Sequence, residues 1–393
     1  MDIRKLLPEE NQAADQLESI AFVQPAADSG KESPYQADRW GCFGDDGQLR
    51  ATLTNHDLPI WFDGSIASSR GVAGVASDPV TRGQGTVREL FRRVLQDDRE
   101  AGALFSTLYP FSHPFYRRFG YEICFTCPIA SFPTKALEVF QAGEPPAARL
   151  LLPADGTAAL QPLYKAFAKR YNLAVARDER TWRRNELGDP FKAERYCYVL
   201  SQGGRDTAYA IFHFRPQEKP FIRTLCLTDY AFVNAEAFTG LMRFLHRFLA
   251  QARDVEMFVP GNLPLSSLLA EPYEIRSSAG AQPMARVLNV AGVLKAMRYP
   301  KKDGAVTLYV EDPFLPENEG CYRVAFTRQG AADVARCDGD ADLRLSIQTF
   351  TQIALGYISL AEAAFKPDVR LNGNQALLKR LFPKKPVFLS DFY

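Results

Sequence analysis

The sequence predicts a mixed α/β, or α+β, fold that is divided into two or three domains. Its 393 residues exceed the size of one ordinary domain. Strand patterns of alternating polarity are interleaved with helical patterns along most of the chain. With 46% hydrophobic and 24% charged residues, the composition is that of a globular protein with sizeable cores.

The first segment, residues 1–140, shows strand and helix signals in a regular order. Strands are predicted at 2–7, 40–43, 50–58, 60–62, 71–77, 103–109 and 123–131, and helices at 9–22, between Gly85 and Gly102, and from Ser112 onward as the N-cap. The sequence Gln-Ala-Gly-Glu-Pro-Pro-Ala-Ala at 141–148 then predicts a linker, because prolines and glycines end regular structure. We place the first domain boundary there.

The remaining chain divides into a second segment, 148–284, and a third, 285–393. The second repeats the order of the first, with strands at 195–201, 207–214, 222–232 and 255–259 and a helix at 235–252. The third carries a strand and helix at 285–299, strands at 305–310, 320–327, 331–337 and 342–347, and helices at 349–356 and 374–382. Its apolar end finishes in Phe392 and Tyr393, whereas ordinary termini are polar and frayed. We therefore expect the C-terminus to be buried.

Charge and apolar runs exclude several function classes. The 47 basic and 46 acidic residues balance, which argues against nucleic-acid binding. We find no signal peptide and no apolar run near the roughly 18 residues of a membrane span, so we expect a cytoplasmic protein without a membrane partner. The seven cysteines are scattered and are expected to be reduced thiols.

Metal binding is not expected either. The pair Cys124 and Cys127 has C-x-x-C spacing, but no second pair accompanies it and it falls in a predicted strand, so a metal or redox role is the weaker interpretation. The four histidines are scattered and none has H-E-x-x-H spacing. A Gly-x-Ser-x-Gly nucleophile motif is also absent from the sequence.

Residues 71–88 combine a strand, a glycine-containing turn and an amphipathic helix. Gly83 and Gly85 allow positive φ and close approach of a ligand. The amides of residues 83–88 at the helix start lack intrahelical partners and attract anions, and Arg82 adds a charge that can bind phosphate through two hydrogen bonds. The segment predicts a pyrophosphate site; Arg82 as a surface ion-pair partner remains the alternative.

Arg82-Gly83-Gln84-Gly85, between a strand and a helix, resembles the acetyl-CoA pyrophosphate loop of GNAT-fold N-acetyltransferases. Val87 departs from the general motif and is similar to the Eis-like (enhanced intracellular survival) branch, where bulky aliphatic residues follow the glycine. The sequence Pro-Phe-Tyr-Arg-Arg-Phe-Gly-Tyr at 114–121 resembles a second signature of that branch.

This resemblance implies two GNAT-like domains in tandem, at 1–140 and 148–284, and a sterol-carrier-like α+β domain at 285–393. Residues 229–235, the strand-to-helix passage of the second segment, contain neither glycine nor arginine. We therefore expect only the first domain to bind acetyl-CoA. By the same resemblance, the central strand meets the thioester carbonyl with backbone amides. The expected acetyl-CoA residues are Val75, Ala76, Ser77, Arg82, Gly83, Gln84, Gly85, Thr86, Val87, Arg88, Phe111 and Ser112.

For catalysis, the resemblance implies Tyr116 as proton donor to the departing thiolate and the terminal carboxylate of Tyr393 as base. A phenol pKa of about 10 exceeds a thiol pKa of about 8.5, so the proton moves only as negative charge develops. A terminal carboxylate with a pKa of about 3.5 needs burial to act as a base, or it orients a water. Three alternatives stay open: Tyr116 only packs, Phe392 and Tyr393 plug a domain interface, or His113 is the base.

The predicted function is that of a metal-free, acetyl-CoA-dependent N-acetyltransferase. By resemblance, its acceptor is a primary amine of a polycationic small molecule such as an aminoglycoside, or a protein lysine. An acidic acceptor pocket is expected, with Asp28, Asp391 and the helix carrying Glu9 and Glu18 as candidates. The resemblance also implies a homo-oligomer, a hexamer. Two alternatives remain: a lipid carrier that works through its C-terminal domain, and a regulator that binds acetyl-CoA without catalysis.

Overall fold

The computed structural model describes residues 1–25, 35–126, 128–183, 187–217, 222–280, 282–330 and 332–393. Its first strands and helices follow the order predicted for the first segment. In chain order they are β1 (Asp2–Lys5), α1 (Asn11–Phe22), β2 (Ala37–Phe43), β3 (Leu49–Asp57), β4 (Ile60–Phe62), β5 (Ser65–Ala67), β6 (Ser69–Ser77), α2 (Thr86–Glu100), β7 (Phe105–Leu108), α3 (His113–Arg117), β8 (Glu122–Ile123), β9 (Pro128–Pro133) and β10 (Ala147–Leu150).

The middle of the chain continues in the same manner. Its elements are α4 (Leu160–Ala168), α5 (Glu179–Arg183), α6 (Pro190–Ala193), β11 (Arg195–Gln202), β12 (Arg205–Pro216), β13 (Arg223–Phe232), α7 (Ala235–His246), β14 (Asp254–Phe258), α8 (Leu265–Leu268) and β15 (Arg276–Ala279). Helix α7 ends earlier than the predicted residue 252. Beyond His246 the backbone closes tighter i→i+3 bonds, such as the one from the Phe248 amide to the Leu245 carbonyl, 3.1 Å.

The last elements lie after residue 283. They are β16 (Met284–Val287), α9 (Val290–Ala296), β17 (Gly304–Glu311), β18 (Gly320–Phe326), β19 (Ala332–Cys337), β20 (Leu343–Ser346), α10 (Ile347–Leu355), α11 (Leu360–Ala363), β21 (Arg370–Leu371) and α12 (Gln375–Leu381). The chain forms two compact units: the first comprises residues 1–125, 282–385 and 392–393, and the second residues 126–281 and 386–391.

The first sheet belongs to the first unit and has the strand order β1-β2-β3-β6-β7-β16-β8. Its neighbouring strands are antiparallel except for β6 and β7, which are parallel. Helix α2 buries the predicted apolar stripe of Leu90, Phe91, Val94 and Leu95 against this sheet, in a cluster that includes Leu53 and Val72. Because this stripe is buried, α2 is held in place on the sheet. The loop that precedes α2 is thereby held in place as well.

Two strands pair differently from the order that the sequence suggested. Strand β9 lies between β14 and β15 in the second unit, so the prediction that residues 123–131 form one closing strand of the first domain is wrong. Strand β16 pairs with β7 and β8 in the first sheet, not with the strands that follow it. An alternating pattern identifies a strand and its buried face, but it does not specify the partner strand.

The first unit also contains a third sheet, with the order β19-β18-β17-β20-β21. Helix α10 packs its apolar residues, including Phe350 and Ile353, in the interior. Cys321 and Cys337 are directly opposite each other on β18 and β19 and are joined in a disulfide. The expectation that all cysteines are reduced thiols is therefore wrong for this pair; Cys42, Cys124, Cys197 and Cys226 are buried free thiols, and Cys127 lies outside the described residues.

The second sheet, in the second unit, has the order β10-β11-β12-β13-β14-β9-β15. Its one parallel pair, β13 with β14, occupies the place that β6 and β7 hold in the first sheet. Helix α7 follows β13 and buries Phe238, Leu241 and Leu245. The second segment thus repeats the layout of the first, as the sequence predicted.

Near the end of the chain, Val387, Phe388 and Leu389 are buried, whereas Phe392 is 39% exposed and Tyr393 is half-buried. The expected burial of the terminus is therefore correct for residues 387–389 and wrong for Phe392. Val387 forms a bridge with Asn172 in the second unit. Across the residues that the structure describes, each helix is too short or too polar to cross a bilayer.

Candidate active site

A cleft of about 1000 Å³ opens in the first unit beside β6 and the start of α2. Ten of the expected acetyl-CoA residues line it: Val75, Ala76, Ser77, Arg82, Gly83, Gly85, Thr86, Val87, Arg88 and Phe111. Five residues that the sequence did not predict for the acetyl-CoA site also line it: Ala21, Phe22, Phe115, Arg118 and Phe119. The expected residues Gln84 and Ser112, and the expected catalytic residues Tyr116 and Tyr393, are not part of this lining.

Strands β6 and β7 diverge where the cleft begins. They pair only from Ser69 to Val72 on β6, so Val75 to Ser77 extend beyond the last residue of β7. The pairing of β6 with β3 also shifts register opposite Gly74, whose φ is +59°. Because of this bulge and the divergence of the strands, the backbone amides of residues 75–77 that face β7 do not take part in the hydrogen bonds between β6 and β7.

The turn before α2 has the geometry of an anion site. Gly83 and Gly85 both have φ of +84°, a conformation that side chains disfavour. A Cβ atom at either position would meet no atom of the other described residues within 4 Å, so the space above both glycines is open there. Gly85 is the N-cap residue of α2 and, as a glycine, provides no side-chain capping hydrogen bond. Its first amides therefore remain available to a ligand.

Three arginines line the same cleft: Arg82, Arg88 and Arg118. Among the described residues, no carboxylate lies within ion-pair distance of any of them. The alternative of Arg82 as a surface ion-pair partner is therefore not observed. Guanidinium groups that have no carboxylate partner in the described part of the chain, together with the first amides of the helix, favour a ligand that carries several phosphates.

Tyr116 lies beneath the cleft in a group of aromatic rings. It is 3% exposed, and its ring centroid is 5.5 Å from that of Phe111 and 5.1 Å from that of Phe115, two rings that line the cleft. Burial raises the pKa of the Tyr116 phenol well above its usual value. Within the described part of the chain its hydroxyl forms no hydrogen bond, so its proton is available to a ligand.

Arg286 supports the segment that carries Tyr116 from behind. Its side chain is fully buried, and Nη2 is 2.5 Å from the Asp312 carboxylate, which is fully buried as well. Its Nη1 donates to the carbonyl of Phe119, and Gly120 follows with φ of +83°. A Cβ atom at Gly120 would collide with this guanidinium. Arg286 could not be identified from the sequence, because an isolated arginine in a strand carries no motif.

The ring of Tyr393 is inserted against the first sheet. Its hydroxyl is 2.6 Å from Thr107 Oγ1 on β7, and its ring centroid is 5.7 Å from that of His56 on β3. The neighbouring Phe392 ring stacks on Tyr109 at 4.6 Å. Burial raises the pKa of the Tyr393 phenol, so this group stays neutral and acts as a hydrogen-bond donor.

The other predicted groups have structural partners. His113 Nε2 is 3.3 Å from the carbonyl oxygen of Gln282, an acceptor only, so this nitrogen carries its proton and is not a free base. Ser112 is the N-cap residue of α3 that the sequence predicted, although its side chain does not contribute a capping hydrogen bond.

The acidic candidates are dispersed. Glu18 binds Arg39 at 2.7 Å and lies close to Gly74, where a Cβ atom would be 3.0 Å from its Oε1. Asp391 is paired with Arg177 at 2.9 Å in the second unit. Glu9 is exposed, and Asp28 lies outside the described residues. Of these candidates, Glu18 is the one beside the central strand that leads to the cleft, and burial raises its pKa.

For metals, the described residues contain no group of three or more His, Cys, Asp or Glu side chains arranged to hold an ion.

Family models match three parts of the chain. A GNAT acetyltransferase domain matches residues 2–124, a second GNAT acetyltransferase domain matches 173–287, and a sterol carrier protein domain matches 290–390. Among curated relatives, an uncharacterised N-acetyltransferase of Streptomyces coelicolor is 27% identical over 316 residues, which cover 78% of this chain and 76% of the relative. An uncharacterised N-acetyltransferase of Streptomyces avermitilis is 25% identical over 327 residues, with the same coverage.

Solved structures share the fold over the whole chain. A probable N-acyltransferase from Enterococcus faecalis is 24% identical with a TM-score of 0.86, covering 100% of this chain and 99% of its own. Eis1 from Mycobacterium abscessus is 21% identical with a TM-score of 0.84, and both chains are fully covered. At these identities the likeness shows the fold, which agrees with the mixed α/β architecture predicted from the sequence.

Proposed function

Since the chain is an acetyltransferase with two GNAT domains and a sterol carrier protein domain, we propose that the cleft beside β6 binds acetyl-CoA and transfers its acetyl group to a primary amine. The observation that carries this proposal is the open pair of glycines before the helix, in a cleft lined by three arginines that have no carboxylate partner among the described residues. The amides of residues 83–88, with Gln84 in the same turn, are suited to a diphosphate. Arg118 adds a positive charge where a further phosphate of CoA would be neutralised.

Acetyl-CoA supplies an acetyl thioester, and the chain's own groups account for the other requirements of the reaction. The amides of Val75 to Ser77 that lie outside the parallel ladder are suited to the thioester carbonyl. The attacking amine must be neutral, so a base must remove its proton. The thiolate that leaves must be met by a hydrogen-bond donor, and the acetyl carbon ends bonded to nitrogen instead of sulfur.

Tyr116 is the proposed donor. Because burial raises its pKa, the phenol remains protonated across the working pH range. The same raised pKa makes complete proton transfer to a solvated thiolate unfavourable. A thiolate formed beside the apolar rings of Phe111 and Phe115 is desolvated too, which raises the affinity of sulfur for the proton. Tyr116 therefore donates a hydrogen bond to the departing sulfur, and its proton moves onto the sulfur as the charge develops.

The terminal carboxylate of Tyr393 is the proposed base. It is bonded to the Cα atom of a residue whose ring is held on the first sheet, so it cannot diffuse as a frayed terminus would. His113 is the weaker candidate, because its Nε2 proton is engaged by Gln282. For the acceptor, we propose a polycationic amine such as an aminoglycoside, or a lysine, with Glu18 nearest to the central strand. A cytoplasmic location and a homo-oligomer, a hexamer by resemblance, belong to the same proposal.

The test compares glycines with the same backbone strain. Gly85 and Gly330 have φ of +84° and +83°, and a Cβ atom at either would meet no atom of the other described residues within 4 Å. Gly85→Ala should weaken acetyl-CoA binding, measured by isothermal titration calorimetry, by about tenfold or more, because the methyl group occupies the ligand's space. Gly330→Ala, between β18 and β19 of the third sheet, should leave the acetyl-CoA affinity unchanged.

Turnover is measured separately, as CoA thiol release with a panel of polyamines and aminoglycosides. Acetyl-CoA binding without release for any amine would favour a non-catalytic regulator. Absence of binding by the wild-type protein, or equal loss of affinity in both glycine variants, would contradict the proposed site. Tight binding of a fluorescent fatty acid without acetyl-CoA binding would instead favour a lipid carrier.

A further inference from the structure

Three residues on adjacent strands of the first sheet lie in one row beneath the ring of Tyr393. Gly71 on β6 is directly opposite His56 on β3 and directly opposite Thr107 on β7. Residues opposite each other on neighbouring strands project their side chains to the same face of a sheet. We call His56, Gly71 and Thr107 the terminal socket.

Each member of the terminal socket contacts the ring of Tyr393. Thr107 Oγ1 donates to the Arg70 carbonyl at 3.2 Å and therefore accepts from the Tyr393 hydroxyl at 2.6 Å. The His56 ring meets the tyrosine ring edge-on, with centroids 5.7 Å apart. The ring also passes directly over Gly71, where a Cβ atom would be 2.6 Å from Cε2 and 2.9 Å from Cδ2.

Glycine at position 71 is not explained by the backbone. The left-handed φ values found at Gly74, Gly83 and Gly85 do not occur at Gly71, so alanine would fit its backbone conformation without strain. Glycine inside a strand is otherwise unfavourable, because it has high conformational entropy when unfolded and no side chain to pack. The space that the missing side chain leaves is taken by the aromatic ring of the last residue.

We propose that Gly71 is a positioning residue, which lets the Tyr393 ring seat in the terminal socket and thereby holds the terminal carboxylate for its work as base. The catalytic half of this inference rests on the proposed function; the seating itself does not. The seat lies on β6, the strand that continues through Gly74 to the cleft residues 75–77. If the ring of Tyr393 is held on β6, the terminal carboxylate also stays close to this strand, whose residues 75–77 are the ones proposed to meet the acetyl thioester.

The first measurement needs no activity. Carboxypeptidase A removes aromatic residues from accessible C-termini, and intact-protein mass spectrometry follows the loss of tyrosine. The wild-type protein should be protected, and Gly71→Ala should release tyrosine at least about tenfold faster, because the added methyl group displaces the ring. The matched control is Gly304→Ala: a Cβ atom there would be 2.6 Å from the ring of Phe326, and this glycine also has no positive φ.

The second measurement is kcat with a fixed acceptor amine, together with acetyl-CoA affinity. We expect Gly71→Ala to lower kcat at least about tenfold with unchanged acetyl-CoA affinity, and Gly304→Ala to lower neither. The double variant Gly71→Ala with Tyr393→Leu should recover part of the loss. Leucine is smaller than tyrosine, and the terminal carboxylate is retained whatever the last side chain is. Thr107→Val removes the hydroxyl that accepts from Tyr393 and donates to the Arg70 carbonyl, but it adds no bulk under the ring, and it should show a smaller loss of both protection and kcat.

The outcomes separate the two claims. Unchanged protection in both Gly71→Ala and Thr107→Val would overturn the terminal socket. Lost protection with unchanged kcat would overturn the positioning role while leaving acetyl transfer intact. An inactive wild-type protein with a protected terminus would instead count against the proposed function and leave the socket standing.

Discussion

The first and second sheets share one layout, but they differ where the central strand passes into the helix. In the first sheet, residues 78–85 separate β6 from α2 and include two glycines with positive φ. In the second sheet, β13 ends at Phe232 and α7 begins at Ala235. The side chain of Asn234 caps α7 by accepting from the Ala237 amide at 2.8 Å. One helix start is open to a ligand, and the other is closed by its own chain.

The same contrast appears where the parallel strands diverge. In the second sheet this region holds Asp229, which binds the Arg177 guanidinium at 2.6 Å and accepts from the Tyr209 hydroxyl at 3.2 Å. Arg177 also binds Asp391, at 2.9 Å, and is 3% exposed. In the first sheet the corresponding strand carries small residues, and its amides line a cleft of about 1000 Å³. A ligand site on this scaffold therefore requires polar groups without internal partners.

The largest effect, a loss of kcat, is expected at Tyr116 beneath the cleft of the first unit. Tyr116→Phe should lower kcat by a factor of about 10² to 10⁴, because it removes the hydrogen-bond donor to the leaving sulfur. Acetyl-CoA affinity should be nearly unchanged, since this hydrogen bond strengthens only when negative charge develops on the sulfur during the reaction. Steady-state thiol release and calorimetry measure the two quantities.

The matched control is the buried tyrosine of the second sheet. Tyr209→Phe removes one hydroxyl that is bonded to Asp229, and kcat should be unchanged. Equal losses of kcat in both variants would mean that Tyr116 acts through stability alone, as the packing alternative states.

The second largest effect is expected in the second sheet, where Arg177 and its two carboxylate partners occupy the region that is a cleft in the first sheet. Arg177→Met should lower the free energy of unfolding by about 3–5 kcal/mol, because two buried carboxylates lose their counter-charge. Urea titration followed by circular dichroism measures it. The control Arg215→Met breaks an exposed pair with Glu256 in the same unit, where the arginine side chain is 53% exposed, and should cost less than about 1 kcal/mol. Similar losses in the two variants would refute the distinction between buried and exposed pairs.

The smallest effect is expected at the cap of α7. Asn234→Ala should lower the free energy of unfolding by about 1 kcal/mol, because it leaves the Ala237 amide without its partner. The stoichiometry of acetyl-CoA binding should stay at one per chain, since the second sheet offers neither glycines nor arginines at this passage. A second bound acetyl-CoA in the variant would show that the cap alone closes this site.

The sequence predicted much of the fold and of the ligand cleft because both depend on local patterns. The apolar stripe of α2 and the two glycines before it are contiguous, and the structure places them as expected beside β6. The positions of β9 and β16 could not be predicted in this way. Their patterns specify a strand, while the partner depends on pairings across more than a hundred residues.

Residues whose role depends on contacts with distant parts of the chain could not be predicted from the sequence either. Arg118 has the same local context as Arg117, yet Arg117 binds Glu122 while Arg118 lines the cleft. Gly71 looks like an ordinary glycine of a strand until the ring of the last residue is placed over it. The buried ion pair of Arg286 and Asp312 joins β16 to the segment after β17, and no spacing in the sequence predicts this pair.

The position of β16 has a consequence for synthesis of the protein. This strand fills the space between β7 and β8, yet it is translated only after the whole of the second sheet. The first sheet therefore cannot be completed while the nascent chain is shorter than about residue 287, and until then β7 presents an unpaired edge to other chains. An isolated N-terminal fragment ending before β16 should aggregate, and a chaperone that shields strand edges should increase the yield of the full-length chain.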